Sequence, residues 1–158
     1  MHIRTNHLLT LAILLLAVIA YLSVSRPLRF DDQRKEREQT VQQRLVAIRE
    51  AAEHYRADSG RYARLLEELV EARYLADSLR FIPYSQGETF SLKTSILTNA
   101  LGEEEPLMEC GAEYAQYLKG LSEEEITALT EKTLAQGAFP GLRIGSLSEN
   151  NQNAGNWE

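Results

Sequence analysis

The sequence LLTLAILLLAVIAYLSV at residues 8–24, with the charged stretch that follows it up to Tyr62, decides how this chain is organised. The first part carries no charge and is about 17 residues long, close to the minimum for crossing a hydrocarbon core of roughly 30 Å. Pro27 lacks an N–H group and disfavours helix at the preceding residue, so we expect a helix break there. A polar helix follows and ends at Asp58-Ser59-Gly60, where Gly60 suits a left-handed cap. We interpret these parts as a membrane anchor, a stalk and the first packing surface of a head.

A cleaved signal peptide is the alternative to a retained anchor. Small residues at Val18-Ile19-Ala20 and Ser23-Val24-Ser25 offer cleavage positions, but the apolar run is longer than the usual signal core of about 7–15 residues. Retention is therefore favoured. The basic residues after the run outnumber Arg4 before it, which by the positive-inside rule alone would keep the head in the cytoplasm. The short N-terminal segment favours export, so we expect a single-pass protein of the cell inner membrane with an extracytoplasmic, periplasmic head.

An apolar stripe follows the polar turns of the stalk. Its spacings of 4, 3, 4 and 3 give an average period of 3.5, typical of one helix face, and it contains Val41, Leu45, Ile48, Ala52 and Tyr55. This stripe is the candidate interaction surface. It could form a coiled-coil seam with neighbouring proteins or be covered by the head of the same chain. Because only about two heptads are present, packing within the chain is favoured.

The remaining pattern predicts an α+β head built on the stalk. Helical spacing predicts a second helix of about 12 residues near 65–75, and alternation predicts a half-buried strand from Phe90 to Ile96. Residues 102–106 are predicted to form a loop, with short strands near 107–110 and 142–144. Ser122 and Glu125 form a capping box before a helix at 123–135. The amide-rich end is irregular, and the large apolar area of Trp157 predicts docking.

Length and composition suit one domain plus an anchor. We divide the 158 residues into four parts: 1–7 as an N-terminal segment, 8–25 as a transmembrane helix, 26–57 as a stalk helix and 58–158 as the head. After residue 25 the chain has 16 basic and 23 acidic residues, a net charge of −7, which argues against nucleic acid as a partner.

Cys110 is the lone cysteine, so no internal disulfide forms. No catalytic constellation emerges, and we predict neither an enzyme nor a small-molecule substrate.

Five local patterns follow one another in the sequence: the apolar helix with a proline at Pro27, the stretch from Leu45 to Tyr62, the stretch Leu66–Val70 followed by Tyr74-Leu75, the Ile82-Pro83-Tyr84 turn with Phe90, and the stretch Ile144–Leu147 through Gly155–Glu158. In this order they resemble type IV pilin-like proteins, and most of all the major pseudopilin of type II secretion. The resemblance implies a long N-terminal helix packed on a small antiparallel sheet. It also implies a noncatalytic structural subunit of an envelope or secretion-type assembly. The implied partners are the lipid bilayer and other envelope proteins or copies of the chain.

Two positions depart from that family. Thr5 stands where substrates of the prepilin peptidase carry glycine, and Thr10 stands where they carry the glutamate that registers subunits in a filament. Residues 97–141 have no counterpart in the family pattern. Two alternatives therefore stay open. One is a monomeric, membrane-anchored binding module outside the cytoplasm, and the other is a secreted protein whose signal peptide is removed.

The resemblance also implies a calcium loop near the C-terminal end. Calcium takes about six to eight oxygen ligands, mostly carboxylates and carbonyls. The candidate ligands are the backbone carbonyl of Leu147 and the side chains of Glu149, Asn150 and Asn153. Because Glu149 is the only loop carboxylate before Glu158, such a site would be weak. The alternative is an amide-rich loop closed by its own hydrogen bonds and held by Trp157, with no cofactor.

Overall fold

The computed structural model describes residues 2–98 and 102–158, and the side chains of 2–6, 8 and 22–28, Thr5 among them, lie outside the description. The described part contains helices, a 3₁₀ turn and a small antiparallel sheet, which confirms the α+β class. In chain order the elements are α1 (His2–Ser59), α2 (Leu66–Glu71), the 3₁₀ turn Asp77–Arg80, β1 (Ser91–Thr98), β2 (Glu104–Glu113), α3 (Tyr114–Tyr117), α4 (Glu123–Ala135) and β3 (Gly141–Gly145). The chain forms two compact units, Met1–Lys35 and Glu36–Glu158. The second unit begins inside the range 26–57 expected to be the stalk.

The first unit consists of the N-terminal part of α1. The predicted break at Pro27 is wrong, because α1 continues through this residue without interruption. A proline inside a helix removes one backbone hydrogen bond, and the bonds of the turns on either side preserve the helical path. Every residue from Leu9 to Tyr21 is exposed, on all sides of the helix. Within the described residues, no helix is both long enough and apolar enough to cross a membrane.

The second unit is built around the rest of α1. Val41, Leu45, Ile48 and Ala52 of the stripe are buried, as are Tyr62, Leu66 and Leu69 just after the helix. Burial of this stripe is the hydrophobic driving force that fixes α1 in the head, because each large aliphatic side chain contributes about 1.5–3 kcal/mol when removed from water.

The sheet has the order β1-β2-β3, and both pairings are antiparallel. Leu92, Cys110 and Ile144 lie opposite one another across the three strands, and Cys110 and Ile144 are fully buried. The predicted half-burial holds for the first part of β1 only, since Thr94 is exposed and Ile96 is 66% exposed. Alternation identifies the residues that share a face of a strand, but it does not reveal whether another element covers that face.

Several boundaries differ from the sequence-based expectation. α2 has six residues rather than about 12, because Arg73 adopts a positive φ and the N–H groups of Tyr74 and Leu75 both donate to the Leu69 carbonyl. β2 begins at Glu104, so the predicted loop at 102–106 is shorter. The helix at 123–135 is confirmed, and the Ser122 hydroxyl accepts a hydrogen bond from the Glu125 N–H.

Candidate functional site

The turn after α1 is held by side chains that come from both of its ends. Ser59 is the last residue of α1, and Gly60 follows with a φ of 77°, as expected for a left-handed cap. The Tyr55 hydroxyl donates to Glu68 at 3.2 Å, and Arg61 forms an ion pair with the same carboxylate at 3.1 Å. These contacts fix the direction in which the chain leaves the helix, and they direct the next residue, Tyr62, into the head.

Tyr62 is the centre of a polar group, the Tyr62 cluster, which consists of Glu53, Arg56, Tyr62 and Asn153. Tyr62 and Asn153 are buried, and Glu53 and Arg56 are half-buried. The Tyr62 hydroxyl donates to Glu53 at 2.7 Å and accepts from Arg56 at 2.9 Å. It also accepts from the Asn153 amide at 2.8 Å, and that amide donates to Glu53 as well. Asn153 is only 7% exposed. The cluster therefore ties the C-terminal loop to α1 with mutually satisfied donors and acceptors.

The electrostatics of the cluster favour a neutral Tyr62. Burial raises the pKa of Tyr62 above its ordinary value, and the hydrogen bond to the Glu53 carboxylate raises it further. Hydrogen bonds from Asn153 and Arg56 act in the opposite direction, but the net shift is upward. A tyrosinate here would lose the bond that the hydroxyl donates to Glu53 and would stand beside its negative charge. The group is suited to holding a loop rather than to exchanging protons near neutral pH.

The C-terminal loop, residues 146–158, begins at the end of β3 and leads to the Tyr62 cluster. Gly145 has a φ of 73°, and a side-chain carbon added there would lie 2.1 Å from the Met108 carbonyl oxygen, so only glycine fits. Its N–H donates to the Ala154 carbonyl at 3.1 Å. Asn156 then returns alongside β3, donating its N–H to the Arg143 carbonyl and its side-chain amide to the Gly141 carbonyl. The chain thereby folds back on the last strand.

The final residues also contact α1. Arg49 donates to the Glu158 side chain at 2.9 Å and to the Asn153 carbonyl at 3.3 Å. Trp157 is half-buried and shares a surface cavity with Gln43 and Val46 of α1. Trp157 therefore lies beside α1 at this cavity, and Arg49 holds the loop on the helix at Asn153 and at Glu158.

The residues predicted to bind calcium are arranged differently from a calcium shell. Glu149, Asn150 and Asn153 line a polar cavity of about 240 Å³, and Leu147 is not part of that lining. The Leu147 carbonyl accepts from the Ser95 hydroxyl at 3.2 Å, and the Asn150 side-chain oxygen accepts from the Gln152 N–H at 2.8 Å.

Two of the four candidate ligand oxygens, those of Leu147 and Asn150, accept hydrogen bonds within the head. Asn153 directs its amide nitrogen at Glu53 and Tyr62. Across residues 2–98 and 102–158, no three His, Cys, Asp or Glu side chains are grouped closely enough to hold a metal ion. In this arrangement the loop is closed by its own hydrogen bonds, and the calcium interpretation stays a prediction.

The predicted interaction stripe has a different location from the loop. Four of its members are buried in the head, and Tyr55 is half-buried with its ring 5.9 Å from that of Tyr74. The stripe is therefore a packing face of the head rather than a surface open to neighbours.

Sequence reasoning missed Glu53 and Arg56 as functional side chains. Their one visible signal is the i, i+3 spacing that places both on the helix face approaching Tyr62.

The Tyr62 cluster holds the C-terminal loop on α1 through hydrogen bonds among one tyrosine hydroxyl, one carboxylate, one guanidinium and one amide. Comparison with known proteins adds no identity to it: no family model, no curated protein and no solved structure matches this chain.

Proposed function

We propose that this protein is a noncatalytic, single-pass subunit of an envelope or secretion-type assembly, with a pilin-like head outside the cytoplasm. The observation that carries the proposal is α1. Its residues Leu9–Tyr21 are uncharged and exposed on every side, while Val41, Leu45, Ile48 and Ala52 of the same helix are buried in the core of the head.

The exposed apolar part supports a lipid environment. An amphipathic helix that packs on a protein shows one apolar face and one polar face, whereas a helix that is apolar all round is stable only in a core or in a bilayer. From Leu9 to Tyr21 no side of α1 is covered by protein. We propose the inner membrane as the environment that this surface matches. The uncharged sequence from Leu8 to Val24 supports this proposal and includes side chains outside the described part of the chain, to which the absence of a spanning helix among the described residues does not extend.

The head supports the comparison with pilin-like proteins at the level of architecture. A long helix contributes its apolar stripe to the core, a three-stranded antiparallel sheet supplies the other layer, and a C-terminal loop returns to the helix. This order of parts agrees with the resemblance in the sequence. Thr5 and Thr10 remain unlike the residues that such proteins use for processing and registration.

A second candidate function is a monomeric, membrane-anchored binding module outside the cytoplasm. The burial of Val41, Leu45 and Ile48 favours it, because the stripe that could have formed a seam with neighbours is used inside the head. A secreted form, released by signal-peptide cleavage, is the third arrangement.

The decisive experiment combines mass spectrometry of the mature N-terminus with crosslinking in the membrane. The membrane fraction is expected to hold a chain that retains Leu8–Val24. Cysteines placed singly at Leu11 and Leu14 are expected to crosslink to neighbouring subunits within the bilayer. A cysteine at Glu131, on exposed α4, serves as the control for collision between heads.

Each alternative gives a different result. A mature chain that begins after Ser25 and lies in the soluble fraction would identify the secreted form. A retained anchor that gives no crosslinks above the Glu131 control would exclude the assembly subunit and favour the monomeric module.

A further inference from the structure

Trp157 and one face of α1 border a shallow surface cavity of about 350 Å³, which we call the Trp157 site. Side chains three and four positions apart are neighbours on a helix, and the other lining residues follow this spacing: Gln39, Gln42, Gln43 and Val46. The site shares no lining residue with the polar cavity beside the Tyr62 cluster. Its volume is at the small end of the range of roughly 300–1,000 Å³ that small-molecule sites occupy.

The residues next to Trp157 hold its ring in place. Asn156 donates its N–H to the Arg143 carbonyl, and its side-chain oxygen accepts from the Arg143 N–H at 3.1 Å. The residue on the other side, Glu158, is bound to α1. The six-membered part of the Trp157 ring lies against Gly155, because a side-chain carbon added to Gly155 would come within 2.6 Å of it. The indole is therefore a preorganised surface, and a ligand that meets it does not have to order it first.

The Trp157 site offers neutral hydrogen-bonding groups and no charge. Gln39 and Gln43 are exposed, and Gln42 is half-buried, as is Trp157. Among the residues that the structure describes, none forms a hydrogen bond with these three side-chain amides or with the indole N–H. Each amide can both donate and accept, and the indole N–H can donate. Donors and acceptors that are open to a ligand thus surround part of an aromatic surface.

We propose that the Trp157 site binds a neutral saccharide through one pyranose ring. A pyranose carries C–H groups on its flat face and hydroxyl groups around its rim. The C–H face matches the apolar face of the indole, and the hydroxyls match the glutamine amides, because both groups donate and accept. A charged ligand would lose hydration without finding an ion to pair with. A purely apolar ligand would cover the amides without satisfying them.

A proline-rich peptide is the main competitor for an aromatic surface of this kind. Its rings also stack on an indole, but proline has no N–H group to donate. Such a peptide would engage the nitrogen of a glutamine amide and leave the amide oxygen without a partner. A saccharide hydroxyl satisfies both ends of the same amide, which favours the saccharide. Binding at this site is a property of the head, and it goes beyond the proposed assembly function without depending on the anchor.

Trp157 is the only tryptophan in the sequence, so its fluorescence reports on the site directly. The full chain is kept in a detergent whose headgroup is not a sugar, because a sugar headgroup would compete for the site. It is titrated with cellotriose, with the linear trimer of N-acetylglucosamine and with triproline. We expect a saturable change in emission with a saccharide, half complete in the millimolar range, and none with triproline. The trimer that saturates at the lower concentration identifies the kind of sugar.

A pair of glutamine variants tests whether the lining takes part. Gln43→Ala removes an exposed amide from the site and is expected to raise the half-saturating concentration several-fold, through the loss of one hydrogen bond. Gln33→Ala is the matched control, because Gln33 is exposed on the same helix and is not part of the lining. It is expected to leave the titration unchanged. Thermal unfolding checks that both variants keep the head folded.

Saturation-transfer NMR from the protein to the sugar is the second measurement, and it detects contact with the ring C–H protons even where the emission stays constant. The absence of both signals with either sugar trimer would overturn the inference. The same half-saturation in the native chain and in Gln43→Ala would overturn it as well. Saturation by triproline alone would assign the site to a peptide instead. None of these results bears on the anchor, which is tested by membrane fractionation.

Discussion

At the scale of single residues, Tyr62 does most to join the two ends of the head. Its hydroxyl contacts Glu53 and Arg56 on α1 and Asn153 on the C-terminal loop. A buried group with several polar partners is stable only while all of them are satisfied, because an orphaned donor or acceptor costs about 1–3 kcal/mol. The sequence marked Tyr62 as the end of a motif. It did not reveal Asn153 as a partner, because the two residues are 91 positions apart.

Replacing Tyr62 with phenylalanine is expected to destabilise the head by about 1–3 kcal/mol, since the buried Asn153 amide and the charged Glu53 carboxylate each lose a hydrogen bond to the Tyr62 hydroxyl. Thermal unfolding of the full chain in mild detergent measures the effect. Tyr84→Phe is the matched control, because Tyr84 is exposed and stacks its ring on Arg37 rather than anchoring a loop. Equal melting temperatures for the two variants would show that the hydroxyl does not hold the loop.

The raised pKa of Tyr62 also predicts a dependence of stability on pH. The folded state favours the neutral phenol, so the pKa of Tyr62 in the fold lies above its ordinary value of about 10. The folded protein then binds more protons than the unfolded chain in this range. The contribution is fully present below pH 10 and is lost as the pH rises through the folded pKa. We expect the melting temperature of the native chain to fall more steeply above pH 10 than that of Tyr62→Phe.

At the scale of elements, sequence periodicity predicted the features that are determined within a single segment. The stripe on α1 and the capped helix α4 both follow from spacing that the sequence displays directly. The helix break predicted at Pro27 is wrong because the prediction considered only the low helix preference of proline. The turns on either side of Pro27 keep α1 helical. The exposure of Ile96 and the contacts of Asn153 depend on which distant elements come together, so neither could be predicted from neighbouring residues.

The buried stripe gives a direct test of α1 as the core of the head. Leu45 is fully buried, and Leu45→Ala is expected to cost about 2–5 kcal/mol through lost burial and the cavity left behind. Leu134 on α4 is 55% exposed, so Leu134→Ala is expected to change stability by no more than about 0.5 kcal/mol. Thermal unfolding under the same conditions compares the two leucine deletions. A similar small loss for both would mean that the head does not depend on the stripe.

The C-terminal loop is expected to be insensitive to calcium. The Leu147 carbonyl and the Asn150 side-chain oxygen already accept hydrogen bonds, and Glu149 is the one carboxylate that the loop contributes to the cavity. We therefore expect the same melting temperature in millimolar calcium and in EDTA, measured with magnesium as a parallel control. A rise specific to calcium would show that the loop rearranges to bind the ion and would restore the calcium interpretation.

At the scale of the whole molecule, the chain combines two units of different chemistry. In the first unit, Leu9–Tyr21 expose their apolar side chains, and in the second, Val41, Leu45, Ile48 and Ala52 of α1 are buried in the core of the head. The division into an apolar segment and an acidic α+β head could be predicted from composition and hydropathy. The boundary at Glu36 could not, because it depends on where contacts with the head begin.

The anchor proposal predicts membrane association that salt does not reverse. Apolar burial is not screened by ions, so the native chain is expected to stay with membranes in concentrated salt. Changing Leu15 and Leu16 together to aspartate is expected to release it, since each carboxylate costs about 2.5–3.5 kcal/mol at the centre of a bilayer. Leu134→Asp is the control for an added charge on the head. Retention of the double variant on membranes would refute an apolar anchor.

The contacts between α1 and the C-terminal loop also set an order of events during synthesis. Arg49 and Glu158 are 109 positions apart, and Glu53 and Asn153 are 100 apart. Contacts between residues this distant form late, because the intervening chain must first lose its freedom. Helix α1 can form as soon as it emerges from the ribosome. Its polar side chains Arg49 and Glu53 form their contacts with the loop only after residues 153–158 have been synthesised. A chain delivered through a membrane would therefore cross with its head still open and close only after residues 153–158 have passed.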